Sequence, residues 1–345
     1  MNPPSVRDPA ASPPAETVRL SLCMATMNRG DVIGETLASI AAQGNLTGVE
    51  LVMIDGSRDD ATERVLASWR DRLPPVRYER RPPQGFDRDY CAAVAAARGD
   101  YCWLVADDDP LLPGAFAAIR PALADEPDFV VLNGEVWDPE LKELLRAGSL
   151  ALAADRIFRA GEDDALAAAV LAFLSYVGSV VVRRGLWNAR ETAPYLGTDF
   201  VHVGVLMQRP IERSVVVLVR PQVRLRFGVA LWTGRFFDIW MFQWPKLIWS
   251  IPQLSPAVKQ AVTWEEPWRQ ARQLLTLRAT GHYTLDHYRR RLAARPVDWR
   301  YRLIARMVAV LPARPAAWAA QAYFRRVGRC SGPLAWELRQ VLAGG

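Results

Sequence analysis

Three consecutive carboxylates, Asp107-Asp108-Asp109, follow the apolar run YCWLVA without a break. Adjacent carboxylates repel one another unless a cation or open water takes up their charge. Two readings are therefore open. Hard divalent cations such as Mg²⁺ or Mn²⁺ take carboxylate oxygens together with substrate phosphates, so the triplet suits a metal-diphosphate clamp. The plainer reading is a solvated acidic turn before Pro110.

Two further polar clusters close apolar runs in the same way. Asp55-Gly-Ser-Arg-Asp59-Asp60 follows VELVMID, where a carboxylate at a strand end can accept hydrogen bonds from a base or a ribose and Gly56 permits a close turn. An ordinary turn with a helix cap explains the same residues. Ala25-Thr26-Met27-Asn28-Arg29 closes the first run and also reads as a polar loop. In an open α/β sheet the carboxyl ends of the strands lie along one edge, where ligands bind, so three clusters there point to one site.

The elements that must bring these clusters together alternate between two periods. Val18 to Thr26, Val49 to Asp55, Val76 to Arg80, Tyr101 to Ala106 and Phe129 to Asn133 read as strands. Asp31 to Gln43 (capped by Asp31), Arg58 to Arg72, Asp87 to Arg98 and a stretch from about Pro113 read as helices. Later strands are expected at Ser179 to Arg183, Ser214 to Val219 and Gln222 to Phe227, and an all-helical run from Leu231. Strand-helix alternation predicts an α/β fold with a mostly parallel sheet flanked by helices. The expected organisation is a disordered Pro/Ala-rich leader over 1–17, a catalytic domain over 18–228 and a helical C-terminal extension over 229–345.

The chain has 345 residues, half of them apolar, which is enough for a large core. Its 43 Lys and Arg against 37 Asp and Glu give a net charge of +6, with Arg crowding the second half. That balance fits phosphate groups or an anionic membrane surface, and no nucleic-acid motif accompanies it. Cys23, Cys91, Cys102 and Cys330 lack C-x-x-C spacing and read as free thiols of a reducing compartment. Ala165 to Val182 carries no charge over 18 residues, but Ser175, Gly178 and Ser179 divide it into a helix and a strand, against a membrane span.

The order LSLCMATMNR, ELVMIDGSRDDATE, ARGDYCWLVADDD resembles the inverting glycosyltransferases with the GT-A fold, often called family two. GFDRDYCAAVAAARGDYCWLVADDD, YVGSVVVRR, YLGTDFVHVGVL and FFDIWMFQWPKLIWSIP are similar to abequosyltransferase-like enzymes of O-antigen assembly. The similarity covers roughly residues 18 to 255. It implies a GT-A-type, Rossmann-like mixed sheet, a nucleotide diphosphate sugar donor, which the closer resemblance makes a 3,6-dideoxyhexose, and a lipid-linked (polyprenyl diphosphate) or oligosaccharide acceptor. Thr26, Asn28 and Arg29 would lie against the nucleotide and Asp55 at its base or ribose. Gly85, Asp87 and Arg88 would face the donor, Arg88 by its forked donors on the diphosphate. Asp107 and Asp109 correspond to the outer positions of the family's D-x-D motif, ligands of Mg²⁺ or Mn²⁺, with Asp108 beside the donor.

Inversion needs one base for the acceptor hydroxyl, and the resemblance offers Asp199 in GTDFVHV. The family more often has Glu-Asp where this chain has Thr198-Asp199. His202 is a second candidate, as base or metal ligand, or a structural residue. Glu135 is either an acceptor contact or a surface acid. Leu231 to Trp249 holds seven Trp or Phe residues, which fit either a membrane interface or the packing of the extension onto the catalytic domain. The expected setting is the inner face of the cytoplasmic membrane. Two rival readings are a sugar nucleotidyltransferase, whose Gly-rich loop Ala25 to Asp31 lacks, and a catalytically silent membrane-associated scaffold.

Overall fold

The computed structural model describes residues 18–229, 233–328 and 332–344. The expected leader, Trp232 of the aromatic run and Cys330 lie outside them. Nine strands form one sheet: β1 (Leu20–Thr26), β2 (Val49–Asp55), β3 (Val76–Arg80), β4 (Tyr101–Val105), β5 (Phe129–Trp137), β6 (Leu144–Arg146), β7 (Arg156–Arg159), β8 (Val180–Arg183) and β9 (Ser214–Arg226). Their order is β3-β2-β1-β4-β8-β5-β9-β7, with β6 paired to β5. β1, β2, β3 and β4 run parallel, as do β5 and β9, and β8 is inserted antiparallel between β4 and β5. The mixed, mostly parallel sheet flanked by helices is the one the sequence predicts.

Helices cover both faces, so the central strands are apolar throughout instead of alternating with polar residues. Successive side chains still point to opposite faces. Leu22, Met24, Trp103 and Val105 pack with α1 (Ile33–Ala41), α2 (Ala61–Trp69) and α4 (Ala115–Ala122). Cys23, Cys102 and Leu104 face the opposite layer, which includes α3 (Phe86–Ala96), α5 (Asp163–Val170), α6 (Arg184–Asn188) and α7 (Val201–Leu206). Cys23 and Cys102 are buried free thiols, and burial pushes Cys23 far above the ordinary thiol range.

Several local expectations need correction. α1 begins at Ile33 after Val32, and Asp31 makes no cap. The strands expected at Ser214 and Gln222 are one strand, β9, whose pairing with β5 slips between Leu132 and Gly134. Pro221 falls in that slip, where a missing N–H breaks the ladder without ending the strand. β6 and β7, which no reading of the sequence anticipates, are short edge strands with exposed residues.

The C-terminal run is helical: α8 (Phe236–Asp238) passes through a π turn (Ile239–Gln243) into α9 (Trp244–Ser250). It continues with α10 (Pro256–Val262), α11 (Ala271–Ala279), α12 (Leu285–His287), α13 (Trp299–Val310), α14 (Ala313–Arg326) and α15 (Gly332–Ala343). Packing continues across residue 228: Ile239, Trp244, Leu247 and Ile248 join the core that contains α3 and α7. Trp244 lies 3% exposed with its ring 4.8 Å from Phe200. Of the two readings of the aromatic run, packing onto the sheet domain describes Ile239, Trp244, Leu247 and Ile248, whereas Phe237 and Met241 pack among the later helices. A separate core of Phe237, Trp268, Leu274, Tyr283 and Val308 binds the later helices together.

Candidate active site

Register brings the polar clusters to one edge. Thr26 at the end of β1 pairs with Asp55 at the end of β2, which pairs with Arg80 of β3. β4 ends two residues before Asp107, beside Met24 of β1.

The β1 and β2 loops are tied together by short bonds. Asn28, at φ 56°, donates its N–H to Ser57 Oγ at 2.7 Å and accepts from the Arg58 N–H at 3.0 Å. The Arg29 N–H donates to Thr62 Oγ1 at 3.2 Å. Gly56 has no room for a side chain, because a Cβ there would come within 2.8 Å of Pro83 Cβ. Asp55 is 0% exposed, accepting from the Ser57 N–H at 2.7 Å and the Tyr78 hydroxyl at 2.8 Å. Here it shapes the loop, with one bond taken on each oxygen and the carboxylate closed off from solvent. Ser57 and Tyr78 are functional-site residues the sequence reading missed; the register of β2 on β3 is what places Tyr78 there.

The acid triplet is buried, at 8%, 8% and 4% exposure. The Arg29 guanidinium, expected on the nucleotide, turns to it: Nη2 reaches Asp108 Oδ2 at 2.9 Å and Nε lies 3.7 Å from Asp107 Oδ1. From the other side β9 clamps the loop. The Arg226 N–H donates to Asp109 Oδ1 at 2.6 Å, its Nε to the Asp108 carbonyl at 3.1 Å, and Pro110 O accepts from the Arg224 N–H at 2.8 Å. Burial pushes the Asp107 carboxyl up to about 7, with the Asp108 charge adding and Arg29 opposing; burial and Asp108 likewise raise Asp109 far above the carboxylate range.

Three buried acids share two nearby arginines, Arg29 and Arg226, and Arg226 also pairs with Glu35, so the cluster stays short of positive charge and that chemistry fits a divalent cation. Among the described residues no three His, Cys, Asp or Glu side chains converge as a ready-made cage. A Mg²⁺-type site does not need one, since one or two carboxylates plus substrate phosphates suffice.

Asp87 and Arg88 open α3 behind Gly85, which adopts φ 95°. Arg88 is exposed at this edge. Asp87 is not available to a donor: it is 4% exposed, its Oδ2 accepts from the N–H groups of Gly197 (2.7 Å) and Asp199 (3.0 Å), and its Oδ1 from that of Val201 (3.0 Å). Burial raises its pKa and the three donors oppose the rise. Its carboxylate is thus the strut of the Gly197–Val201 loop, where the resemblance implies a donor contact.

That strut holds Asp199 at φ 66°, a left-handed conformation that an aspartate adopts at some cost. Asp199 Oδ1 accepts from Arg235 Nη2 at 2.7 Å, whereas Oδ2 is buried without a partner among the described groups. His202, the other candidate base, is buried. It is 0% exposed, its Nε2 bonds the Leu174 carbonyl at 2.8 Å, and its ring lies between Phe86 and Phe200. Burial lowers its pKa to about 4, so it is a neutral structural residue. Glu135 on β5 is half-buried, accepting from Trp137 Nε1 at 2.8 Å, with Arg224 Nε at 3.7 Å. Arg226 and Arg235 carried no local signal, because each reaches its acid from a distant segment.

Residues 21–177 match the family model described as Glycosyl transferase family 2. The chain is 28% identical over 199 residues to abequosyltransferase RfbV of Salmonella typhimurium, a match spanning 54% of this chain and 60% of that enzyme. Solved structures agree on the fold. The first 349 residues of Staphylococcus aureus TarS, in complex with UDP-GlcNAc, superpose with a TM-score of 0.53 at 14% identity, over 92% of this chain and 90% of that one. The Pyrobaculum calidifontis mannosyltransferase PcManGT, in complex with GDP-Man and Mn²⁺, gives 0.52 at 16% identity, over 99% and 91%. The strand order and these structural likenesses show a GT-A-like fold, and residues 21–177 of it are similar to glycosyl transferase family 2.

Proposed function

We propose that the protein is an inverting, metal-dependent glycosyltransferase that moves a sugar from a nucleoside diphosphate donor to a lipid-linked or oligosaccharide acceptor during assembly of an O-antigen-like polysaccharide. The likeness to abequosyltransferase supports a 3,6-dideoxyhexose as the sugar; the cytoplasmic face of a membrane is proposed as the place where a lipid-linked acceptor would be met. The observation that carries the proposal is the Asp199 carboxylate, strained, buried on one oxygen and unpartnered there, in the loop braced by Asp87.

In this reading Asp199 Oδ2 takes the proton of the acceptor hydroxyl as that oxygen attacks the anomeric carbon from the face opposite the diphosphate. The bond to the diphosphate oxygen breaks with its electron pair, so one displacement inverts the centre. The loops fixed by Asn28, Ser57 and Asp55 take the nucleoside, and Arg88 the diphosphate. A divalent cation held by Asp107 and Asp109 would neutralise charge on the departing nucleoside diphosphate.

The test is isothermal titration of CDP, UDP, GDP and dTDP, with and without Mn²⁺, into wild type and into Asp107→Asn, which keeps the side-chain shape. One nucleotide is expected to bind with metal and to lose most of its affinity in the variant. A folded sample that binds none of the four defeats the donor site.

A further inference from the structure

Away from the acid edge, exposed apolar side chains concentrate at one place. Nine of the thirteen large apolar residues that are exposed among the described ones fall between positions 299 and 327, on α13, α14 and their junctions. On α13, Trp299 (63% exposed), Leu303, Met307 and Val310 follow one another at spacings of four, four and three, which places them on a single stripe. The opposite face of α13 is occupied, since Ala305, Val308 and Ala309 pack into the helical core. The helix thus has two apolar faces and only one of them is covered. Trp318, at 68% exposed, continues the pattern on α14.

Charge selects the occupant. Residues 299–328 contain six arginines and no Asp or Glu. None of the six is ion-paired with an acid among the described residues; the pairs of the C-terminal helices use Arg269, His282, Arg290, Arg291 and Arg339. An apolar stripe with Trp and Met, flanked by unpaired arginines and free of acids, complements an anionic lipid surface. No single described helix is long and apolar enough to cross a membrane. α13 and α14 reach that length and composition only together, and they are bent by 102° at their junction. A pair bent so sharply suits a position along an interface better than a straight span.

We propose that α13 and α14 dock the protein on an anionic bilayer, the Trp299–Val310 stripe entering the headgroup boundary and Arg302 and Arg306 meeting lipid phosphates. The inference deepens the reading of a lipid-linked acceptor and rests on it only for its purpose. This surface is separate from the aromatic run of α8 and α9, which is internal.

Full-length protein is co-sedimented with vesicles of phosphatidylcholine alone and of equal parts phosphatidylcholine and phosphatidylglycerol. Binding is expected only to the anionic vesicles. Removing two surface arginines in Arg302→Gln/Arg306→Gln weakens it by about 30-fold, at about 1 kcal/mol per basic residue near the surface. Trp299→Ser/Met307→Ser weakens it without changing salt sensitivity. All four positions are exposed, so both variants should keep the wild-type melting temperature and nucleotide binding. Wild type that ignores anionic vesicles, or variants that bind like wild type, would overturn the proposal. So would tighter binding to duplex DNA than to vesicles with the same arginine dependence. Vesicle binding that persists in a protein binding no nucleotide would leave this surface standing while the transferase reading fell.

Discussion

Asp87→Asn tests whether Asp87 serves the donor, as its motif implies, or braces the loop of the candidate base, as its bonds imply. Oδ2 holds the N–H groups of Gly197 and Asp199, and Oδ1 that of Val201. Hydrogen bonds to a charged acceptor contribute about 1.5–3 kcal/mol each, so three set an upper bound near 4.5–9 kcal/mol. The buried charge that raises Asp87's own pKa offsets part of this. Asp87→Ala should therefore lose about 2–4 kcal/mol of stability, and Asp87→Asn less, because its carbonyl can still take two of the donors while its amide faces the third. The functional consequence is larger than the energetic one. A shift of about 1 Å in a catalytic group can cost about 10²-fold in rate. The expected result in a steady-state assay is a fall in kcat of about that size in Asp87→Asn, with donor KM and nucleotide affinity within about threefold of wild type and with binding intact in a melt. If instead nucleotide affinity falls as it does in Asp107→Asn while kcat at saturation is kept, Asp87 touches the donor and the strut argument is wrong.

The other expectations concern the acids and the cores. Asp199→Asn should lower kcat by about 10²–10⁴-fold and leave nucleotide binding unchanged, as loss of a general base does; a variant with wild-type turnover removes Asp199 from the mechanism. The acid triplet makes cation binding pH-dependent. Asp107's folded pKa of about 7 lies above its ordinary value, so its contribution to stability is full below about pH 4 and is lost as pH rises through about 7. Mn²⁺, which competes with that proton, should raise the melting temperature more at about pH 8 than at about pH 6, and an equal effect at both would refute it. His202 titrates the other way. Its folded pKa of about 4 lies below the usual 6.5, so stability present above about pH 6.5 declines as pH falls towards 4, by up to about 3 kcal/mol. His202→Gln, which can keep the bond to Leu174, should flatten that decline and retain activity; loss of kcat with an unchanged melt would reinstate it as a base. Trp244→Ala should cost about 3–5 kcal/mol as a core truncation, whereas Trp299→Ser should stay within about 0.5 kcal/mol. Equal melting temperatures would show that the two tryptophans have been misplaced.

What the sequence made legible was what short stretches determine. Apolar runs of five to seven residues ending in Thr26, Asp55 and the acid triplet mark strands and the polar edge beyond them, and the fold repeats that local pattern along β1, β2 and β4. The roles within the edge were less legible, because they depend on which groups meet across the chain. Asp87 meets Gly197 from 110 residues away and Arg29 meets Asp108 from 79, and a motif that names a carboxylate says nothing about which N–H groups have already taken its oxygens. The same limit governs the aromatic tail. High apolar content states that a segment must leave water, but lipid and protein satisfy that demand equally well. In α9 the sheet domain and α7 supply the cover, so Trp244 is interior, and Phe237 of α8 is covered by the later helices. In α13 the core supplies cover to Ala305, Val308 and Ala309 and to nothing on the opposite stripe. The run richest in tryptophan and phenylalanine is therefore the packed one, and the membrane argument rests on a helix, WRYRLIARMVAV, that has a second apolar face left uncovered.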